Sequence, residues 1–200
     1  MKTIVVASWN AHKIAEIKTF FPHDTLLSMK EIGFTDEIVE DGTTFAENAL
    51  IKARAIHDFL QKQEKEYLVL ADDSGLCVNA LGGKPGILSA RYSGEHGNDQ
   101  KNREKILTEM QGQTGRTAFF SCCMVEVFPD GQYLIWEGKV MGKILEQEEG
   151  EWWFWYDPIF YCDELGKSFW VATAEEKNSV SHRARAIQNL LEQGSNLLMS

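Results

Sequence analysis

Three short segments of this 200-residue chain gather groups that suit a hard cation or a phosphate. Asp72-Asp73-Ser74 follows the apolar run 67–71, and Glu40-Asp41-Gly42 stands a few residues before Thr44. Mg²⁺ takes oxygen ligands, usually one or two carboxylates from the protein and the rest from water and phosphate. The third segment, Ser8-Trp9-Asn10-Ala11-His12-Lys13 with Glu16 one turn on, lies where an apolar run gives way to helical spacing. The N–H groups and positive dipole end of a helix start suit phosphate. Lys13 adds a point charge there, and Ser8 and Asn10 add hydrogen bonds. Each segment also has a plainer reading. The Asn10 segment is a helix cap with a solvated first turn, and the acidic segments are turns, since Asp, Gly and Ser favour turns.

Two further segments bear on a flat ligand. Trp152-Trp153-Phe154-Trp155-Tyr156-Asp157-Pro158 sets rings beside a carboxylate, which fits stacking on a base with a hydrogen bond at its edge. The plainer reading is an aromatic core strand. Lys177-Asn178-Ser179-Val180-Ser181-His182-Arg183 is read as a helix start carrying three basic groups. Cations there oppose the dipole, so an anion or a base held in common explains them better than stability does. The stretch 81–92 has three glycines and a proline within five residues, without the spacing of a Walker loop, and reads as a structural loop.

The elements that must position these groups are set by periodicity. Residues 3–7 are apolar and β-branched, a buried strand. Residues 10–21 have helical spacing, with Pro22 as a stop. Thr44-Phe45-Ala46-Glu47 is a capping box that opens a helix to about Leu60. Residues 67–71 form a strand whose end carries the acidic pair. Residues 98–110 form a helix. Residues 117–128 and 132–145 flank Pro129-Asp130-Gly131 as a long hairpin. Residues 152–160 are read as extended, and 181–191 as a final helix. The expectation is an α/β fold: a mixed sheet with flanking helices, the hairpin building a second lobe, and a ligand cleft between the lobes.

The bulk composition narrows the classes. Hydrophobic residues make up 44% and charged residues 25%, as in ordinary globular proteins. No apolar run approaches the roughly 18 residues of a membrane span, and the start of the chain reads as a strand, not a signal peptide. A net charge of −10 argues against a nucleic-acid polymer as partner, yet leaves room for a nucleotide, which needs only local cations and a metal. Cys77, Cys122, Cys123 and Cys162 lack Cys-x-x-Cys spacing and read as reduced, partly buried thiols, which points to the cytoplasm.

Taken in order, the segments resemble the inosine triphosphate pyrophosphatase family, which acts on non-canonical purine nucleotides. Four pieces carry the resemblance. They are Ser8-x-Asn10-x-x-Lys13-x-x-Glu16; Glu40-Asp41-Gly42-x-Thr44-Phe45-x-Glu47-Asn48-Ala49 on to Lys52-Ala53; Ala71-Asp72-Asp73-Ser74-Gly75-Leu76 through Gly82-Gly83 to Ser89-Ala90-Arg91-Tyr92-Ser93-Gly94; and Tyr156-Asp157-Pro158-x-Phe160 with Lys177-Asn178-x-x-Ser181-His182-Arg183. They span nearly the whole chain.

The resemblance implies one pyrophosphatase domain over residues 1–200. Its fold would be an elongated mixed sheet with two lobes around a central nucleotide cleft, usually as a homodimer. It implies cleavage of inosine, deoxyinosine and xanthosine triphosphates to the monophosphate and pyrophosphate. By position, the segment from Ser8 through Trp9, Asn10, Ala11 and His12 to Lys13 would hold the phosphates, joined by Lys52. Glu40 and Asp73 would hold Mg²⁺, and Asp73 is also the implied general base, with Asp72 beside it; the sequence leaves open which of the pair is base and which is ligand. Ser74 would touch substrate. Phe154, Trp155, Tyr156 and Asp157 would frame the base, and Lys177, His182 and Arg183 would read it. The family's usual Gly-Phe-Gly-Tyr-Asp-Pro has tryptophans here in place of both glycines, Trp153 and Trp155. Two other readings accompany this one: a pyrophosphatase for pyrimidine or modified nucleotides, and a nucleotide sensor without hydrolysis.

Overall fold

The computed structural model describes residues 1–150 and 155–197. Its strands form one seven-stranded sheet, β1 (Thr3–Val6), β2 (Thr25–Ser28), β3 (Leu68–Val78), β4 (Thr117–Val127), β5 (Tyr133–Ile144), β6 (Phe160–Cys162) and β7 (Lys167–Ser168), in the order β2-β1-β3-β4-β5-β6-β7. β1 pairs in parallel with β2 and β3, whereas β5-β6-β7 is antiparallel, so the sheet is mixed as expected. Among the described residues five α-helices accompany it: α1 (Ala11–Thr19), α2 (Phe45–Gln61), α3 (Asp99–Glu109), α4 (Ala174–Val180) and α5 (His182–Leu197). Among the described residues no helix is long and apolar enough to cross a membrane.

The chain forms two compact units. The first comprises Met1–Asp73, Cys122–Glu137 and Ala186–Ser200, and the second Ser74–Ser121 and Gly138–Arg185. Strand alternation organises the first unit. Val5, Ala7, Val69, Ala71, Val125 and Val127 pack with Ala49, Ala53, Ile56 and Leu60 of α2. Residues at the alternate positions, Ile4, Val6, Leu68, Leu70, Cys122 and Met124, pack instead with Ile17 of α1 and with Ala186, Ile187 and Leu190 of α5. α1 and α2 therefore lie on opposite faces of these strands. The second unit has its own core, built on Leu76, Val78, Ile106, Met110, Phe120, Val140, Ile144, Phe160 and Phe169.

Local signals set most boundaries. Asn10 caps α1 by accepting from the N–H groups of His12 and Lys13, and Thr44 with Glu47 completes the expected capping box on α2. A second box, Thr173 with Glu176, starts α4. In the turn at 129–131 the Gly131 N–H donates to Phe128 O, as the Pro-Asp-Gly sequence implies.

Four readings change. β3 does not end at the acidic pair but runs on through buried Gly75–Val78, so Asp72 and Asp73 lie inside a strand. Charges inside a buried strand persist only when paired, and lysines of α1 and α2 supply the partners. Trp152, Trp153 and Phe154 lie outside the described residues. From Trp155 to Ile159 the chain is not extended, because Trp155 has φ +52° and Asp157–Ile159 is a 3₁₀ turn; the strand begins only at Phe160. Lys177 is not at a helix start. It occupies the last turn of α4, where a cation suits the dipole, and α5 begins only at His182. α5 itself continues past Leu191, to Leu197.

Candidate active site

In the first unit, β3 distributes its two carboxylates by the same alternation that sorts the core. Asp72 shares the face of α1, and the Lys13 ammonium donates to its Oδ2 at 2.9 Å. The Asp72 side chain is fully buried and that of Lys13 is partly exposed. Asp73 shares the face of α2. There Lys52 Nζ lies 2.6 Å from Glu40 Oε2 and 3.5 Å from Asp73 Oδ1, and Asn48 Nδ2 donates to Asp73 Oδ2 at 3.2 Å. Asn48 and Lys52 are four residues apart, so both project from one face of α2.

Asn48 also orders the acidic loop, its Oδ1 accepting from the Gly42 N–H at 2.9 Å. A Cβ on Gly42 would lie 2.7 Å from that oxygen and 2.7 Å from Glu47 Cβ, so only glycine lets the loop close on the helix. An amide is the side chain that can donate to Asp73 and accept from Gly42 at once.

Burial pushes the Asp73 carboxyl up, against the opposing charges of Lys52 and Lys13, while nearby Glu40 raises it further. Burial works to lower the Lys52 ammonium, but Asp73, Glu40 and Asp72 outweigh it and hold it above its usual value. Among the described residues no group of three or more His, Cys, Asp and Glu side chains is arranged for a metal. Two carboxylates converging on one cation nevertheless match what Mg²⁺ asks of a protein when phosphate and water fill the rest.

At the start of α1, Ser8 Oγ accepts from the Asn10 N–H at 3.1 Å, and the Asn10 side chain accepts from His12 and Lys13 at 3.0 and 3.2 Å. Ser8 and Asn10 thus shape the turn, and Trp9 is exposed beside it.

The second unit gathers the other candidates. Lys177 Nζ pairs with Asp157 Oδ2 at 2.5 Å. Arg183, itself buried, donates to Ser74 Oγ at 3.2 Å. The His182 ring stacks on Phe120 with centroids 5.0 Å apart, and Trp155 stacks on Phe120 at 5.0 Å and 24° while tilting toward His182 at 6.0 Å. Tyr156 is buried and donates its hydroxyl to Ser89 O at 2.8 Å, which ties the glycine-rich stretch to the aromatic turn.

The comparisons with known proteins fit this arrangement. The model of the Ham1 family matches residues 4–193. This chain belongs to the Ham1 family. A dITP/XTP pyrophosphatase of Clostridium perfringens is 47% identical over 195 residues, covering 95% of this chain and 96% of that protein. One from Bacillus subtilis is 43% identical, with 95% and 96% covered. Among solved structures, the Staphylococcus aureus Ham1 protein superposes with a TM-score of 0.85 at 39% identity, covering 97% of this chain and 100% of that one. A Mycobacterium abscessus nucleoside-triphosphatase, also described as a dITP/XTP pyrophosphatase, gives 0.75 at 38%, with 94% and 98% covered.

Against the Ham1 expectations, Glu40, Lys52 and Asp73 come together, and Asp157 meets Lys177. Asp72 pairs with Lys13 on the other face, while its charge still acts on Lys52. Phe154 lies outside the described residues. Several residues escaped sequence reasoning. Asn48 was signalled by its helical spacing from Lys52. Asp99, which accepts from the Trp155 N–H at 3.0 Å, and Arg103, which donates to Trp155 O at 2.7 Å, carried no local signal, because they lie more than fifty residues away in α3.

Proposed function

We propose a residue-level account of how this chain, a nucleoside triphosphate pyrophosphatase, hydrolyses inosine, deoxyinosine and xanthosine triphosphates to the monophosphate and pyrophosphate. The observation that carries it is the convergence of Glu40 and Asp73 on one ammonium, within a chain of the Ham1 family. Those two carboxylates are the Mg²⁺ ligands. Bound there, the ion would neutralise phosphate charge and favour departure of pyrophosphate.

The chain's own groups do the remainder. Lys13 and Lys52 neutralise the phosphates, and the start of α1 from Ser8 to Lys13 receives them on its N–H groups. Asp73, partly open to solvent and raised by burial, orients a water toward the α-phosphorus and accepts its proton. Asp72, buried on Lys13, positions that lysine and takes no proton from water. In the second unit Asp157 and Lys177 present a carboxylate and an ammonium to the edge of the base. His182 and Arg183 read the same base, Ser74 supports Arg183, and Trp155 frames a face of it, with Tyr156 buried beside it; Phe154 is assigned to the same role by the resemblance alone.

We read residues 1–200 as one pyrophosphatase domain, since the family match is continuous and β3, β4 and β5 pass from one unit to the other. The resemblance further supports a homodimer. Four buried thiols outside any disulfide support a reducing compartment, the cytoplasm.

The test is pyrophosphate release from inosine, xanthosine, thymidine and uridine triphosphates, with Mg²⁺ and with a chelator. Mg²⁺-dependent turnover that favours the purine pair is expected. Preference for the pyrimidines would assign a different substrate class, and binding without steady pyrophosphate release would make the chain a sensor.

A further inference from the structure

We propose that Lys52 is a built-in counter-cation. In the metal-free protein its ammonium holds Glu40 and Asp73 in the arrangement that receives the divalent ion, and the arriving ion displaces it toward the phosphates. This inference rests on the metal-site reading given above.

The geometry leads to it directly. Two carboxylates left facing each other in a half-buried place repel, and one of them would turn away or take up a proton. Here the Lys52 side chain, only 12% exposed, reaches both of them, at 2.6 and 3.5 Å. The carboxylates are also held from behind. Asn48 fixes Asp73 through its amide and fixes the Glu40 loop through Gly42, so they keep their places when the cation between them changes. The Lys52 ammonium is held by the two carboxylates themselves, and a lysine stem is flexible where a capped helix is not. Lys13 supplies the contrast. It pairs with Asp72 on the opposite face of the strand, at 2.9 Å. One positive group thus serves twice, first as a stand-in for the ion and then as a ligand for phosphate, so the two carboxylates are never left facing each other without a cation.

The decisive measurement is the acylation rate of each lysine amine in the intact, nucleotide-free protein, read by mass spectrometry. It is made without metal and with Mn²⁺ at a concentration that electron paramagnetic resonance shows to be saturating. Lys52 is expected to label several-fold faster once Mn²⁺ is bound, and to slow again when a non-hydrolysable triphosphate is added. Lys13 is expected to change little on adding the ion alone. A Lys52 rate unchanged or lowered by bound Mn²⁺ overturns the displacement, and so does a protein that binds no ion without nucleotide. Either result leaves the metal-site reading standing if turnover still needs Mg²⁺; turnover indifferent to a chelator overturns that reading and this inference together. A second measurement uses Lys52→Met. Its melting temperature is expected to rise with millimolar Mg²⁺ by several degrees more than that of the wild type, because the ion then fills a place no ammonium holds. Equal shifts in the two proteins overturn the proposal.

Discussion

Replacing Trp155 with glycine sets two energies of similar size against each other. The indole is half-buried and stacks on Phe120 at 5.0 Å. Truncating a fully buried aromatic costs about 3–5 kcal/mol, and half-burial brings this to roughly 2 kcal/mol. Against that stands a backbone φ of +52°, which a bulky residue rarely adopts. Holding an L side chain in the left-handed region costs about 1–2 kcal/mol, which glycine escapes. The freedom glycine gains in the unfolded chain offsets roughly 0.5–1 kcal/mol of that relief. The balance is a net loss of about 1 kcal/mol, a fall in Tm of ~2–4 °C for a chain of this size.

Trp155→Gly should therefore melt slightly below the wild type. Trp155→Asn, which tolerates the same backbone but also lacks the ring, should behave alike. Because the indole also tilts over His182 at 6.0 Å, the glycine variant should shift the ratio of kcat/KM between inosine and xanthosine triphosphates. About tenfold, or ~1.4 kcal/mol in the barrier, is expected. Its Mg²⁺ requirement should stay as it was, since the metal candidates belong to the first unit. Denaturant titration and paired substrate kinetics read both effects. A variant more stable than the wild type would show that backbone strain outweighs the stack, and an unchanged ratio would remove Trp155 from base recognition.

Other perturbations probe the first unit. Asp73→Asn should keep the fold and lose more than about tenfold in pyrophosphate release, over 1.4 kcal/mol in the barrier; retention above a tenth would reassign the base. Lys13→Ala should weaken triphosphate binding more than monophosphate binding in calorimetry, and an equal loss for both would take Lys13 out of the phosphate site. Asn48→Asp sets a carboxylate where an amide now donates to Asp73 at 3.2 Å, so it should raise the Asp73 carboxyl further and move the acid limb of the kcat profile to higher pH; an unmoved limb would separate Asn48 from the base. Burial also pushes the Glu126 carboxyl up, so its proton is held more tightly in the folded than in the unfolded chain. The stability this gives is complete below the ordinary glutamate value and is lost as pH rises through the folded one. Glu126→Gln should accordingly be more stable than the wild type at pH 8 and no more stable at pH 3.5, by denaturant unfolding, and the reverse order would refute the sign.

The elements legible in the sequence are those whose signals are local. The capping box at Thr44 and Glu47, the Asn10 cap and the Pro-Asp-Gly turn each act within four residues, and each is where the pattern puts it. β6 and β7, three and two residues long, have no period to read and exist because β5 offers an edge to β6 and β6 one to β7. The aromatic stretch around Trp155 reads as a strand from β-propensity. Its turn is held by Asp99 and Arg103 of α3, whose distance along the chain hides them from any window. Lys177 shows the same limit. The capping box at Thr173 was there to be read and starts a short helix, which turns an apparent helix start into a helix end.

The acidic pair shows why adjacency in sequence misleads about chemistry. Two neighbouring aspartates suggest a shared site, and in a turn they would have one. Inside a strand, successive side chains leave opposite faces, so adjacency separates them. Asp72 reaches the first turn of α1 through Lys13, and Asp73 reaches the middle of α2 through Lys52 and Asn48. The strand thereby ties each helix to the sheet by one ion pair, at the same level along β3. For the two carboxylates to act as an interchangeable acid–base pair, they would have to sense each other more strongly than their own lysines. Their partners argue otherwise: Asp72 is sealed on Lys13, whereas Asp73 keeps partial access to solvent beside Glu40. On the proposed mechanism a proton taken from water would therefore pass to Asp73, and Asp72 would act by holding Lys13.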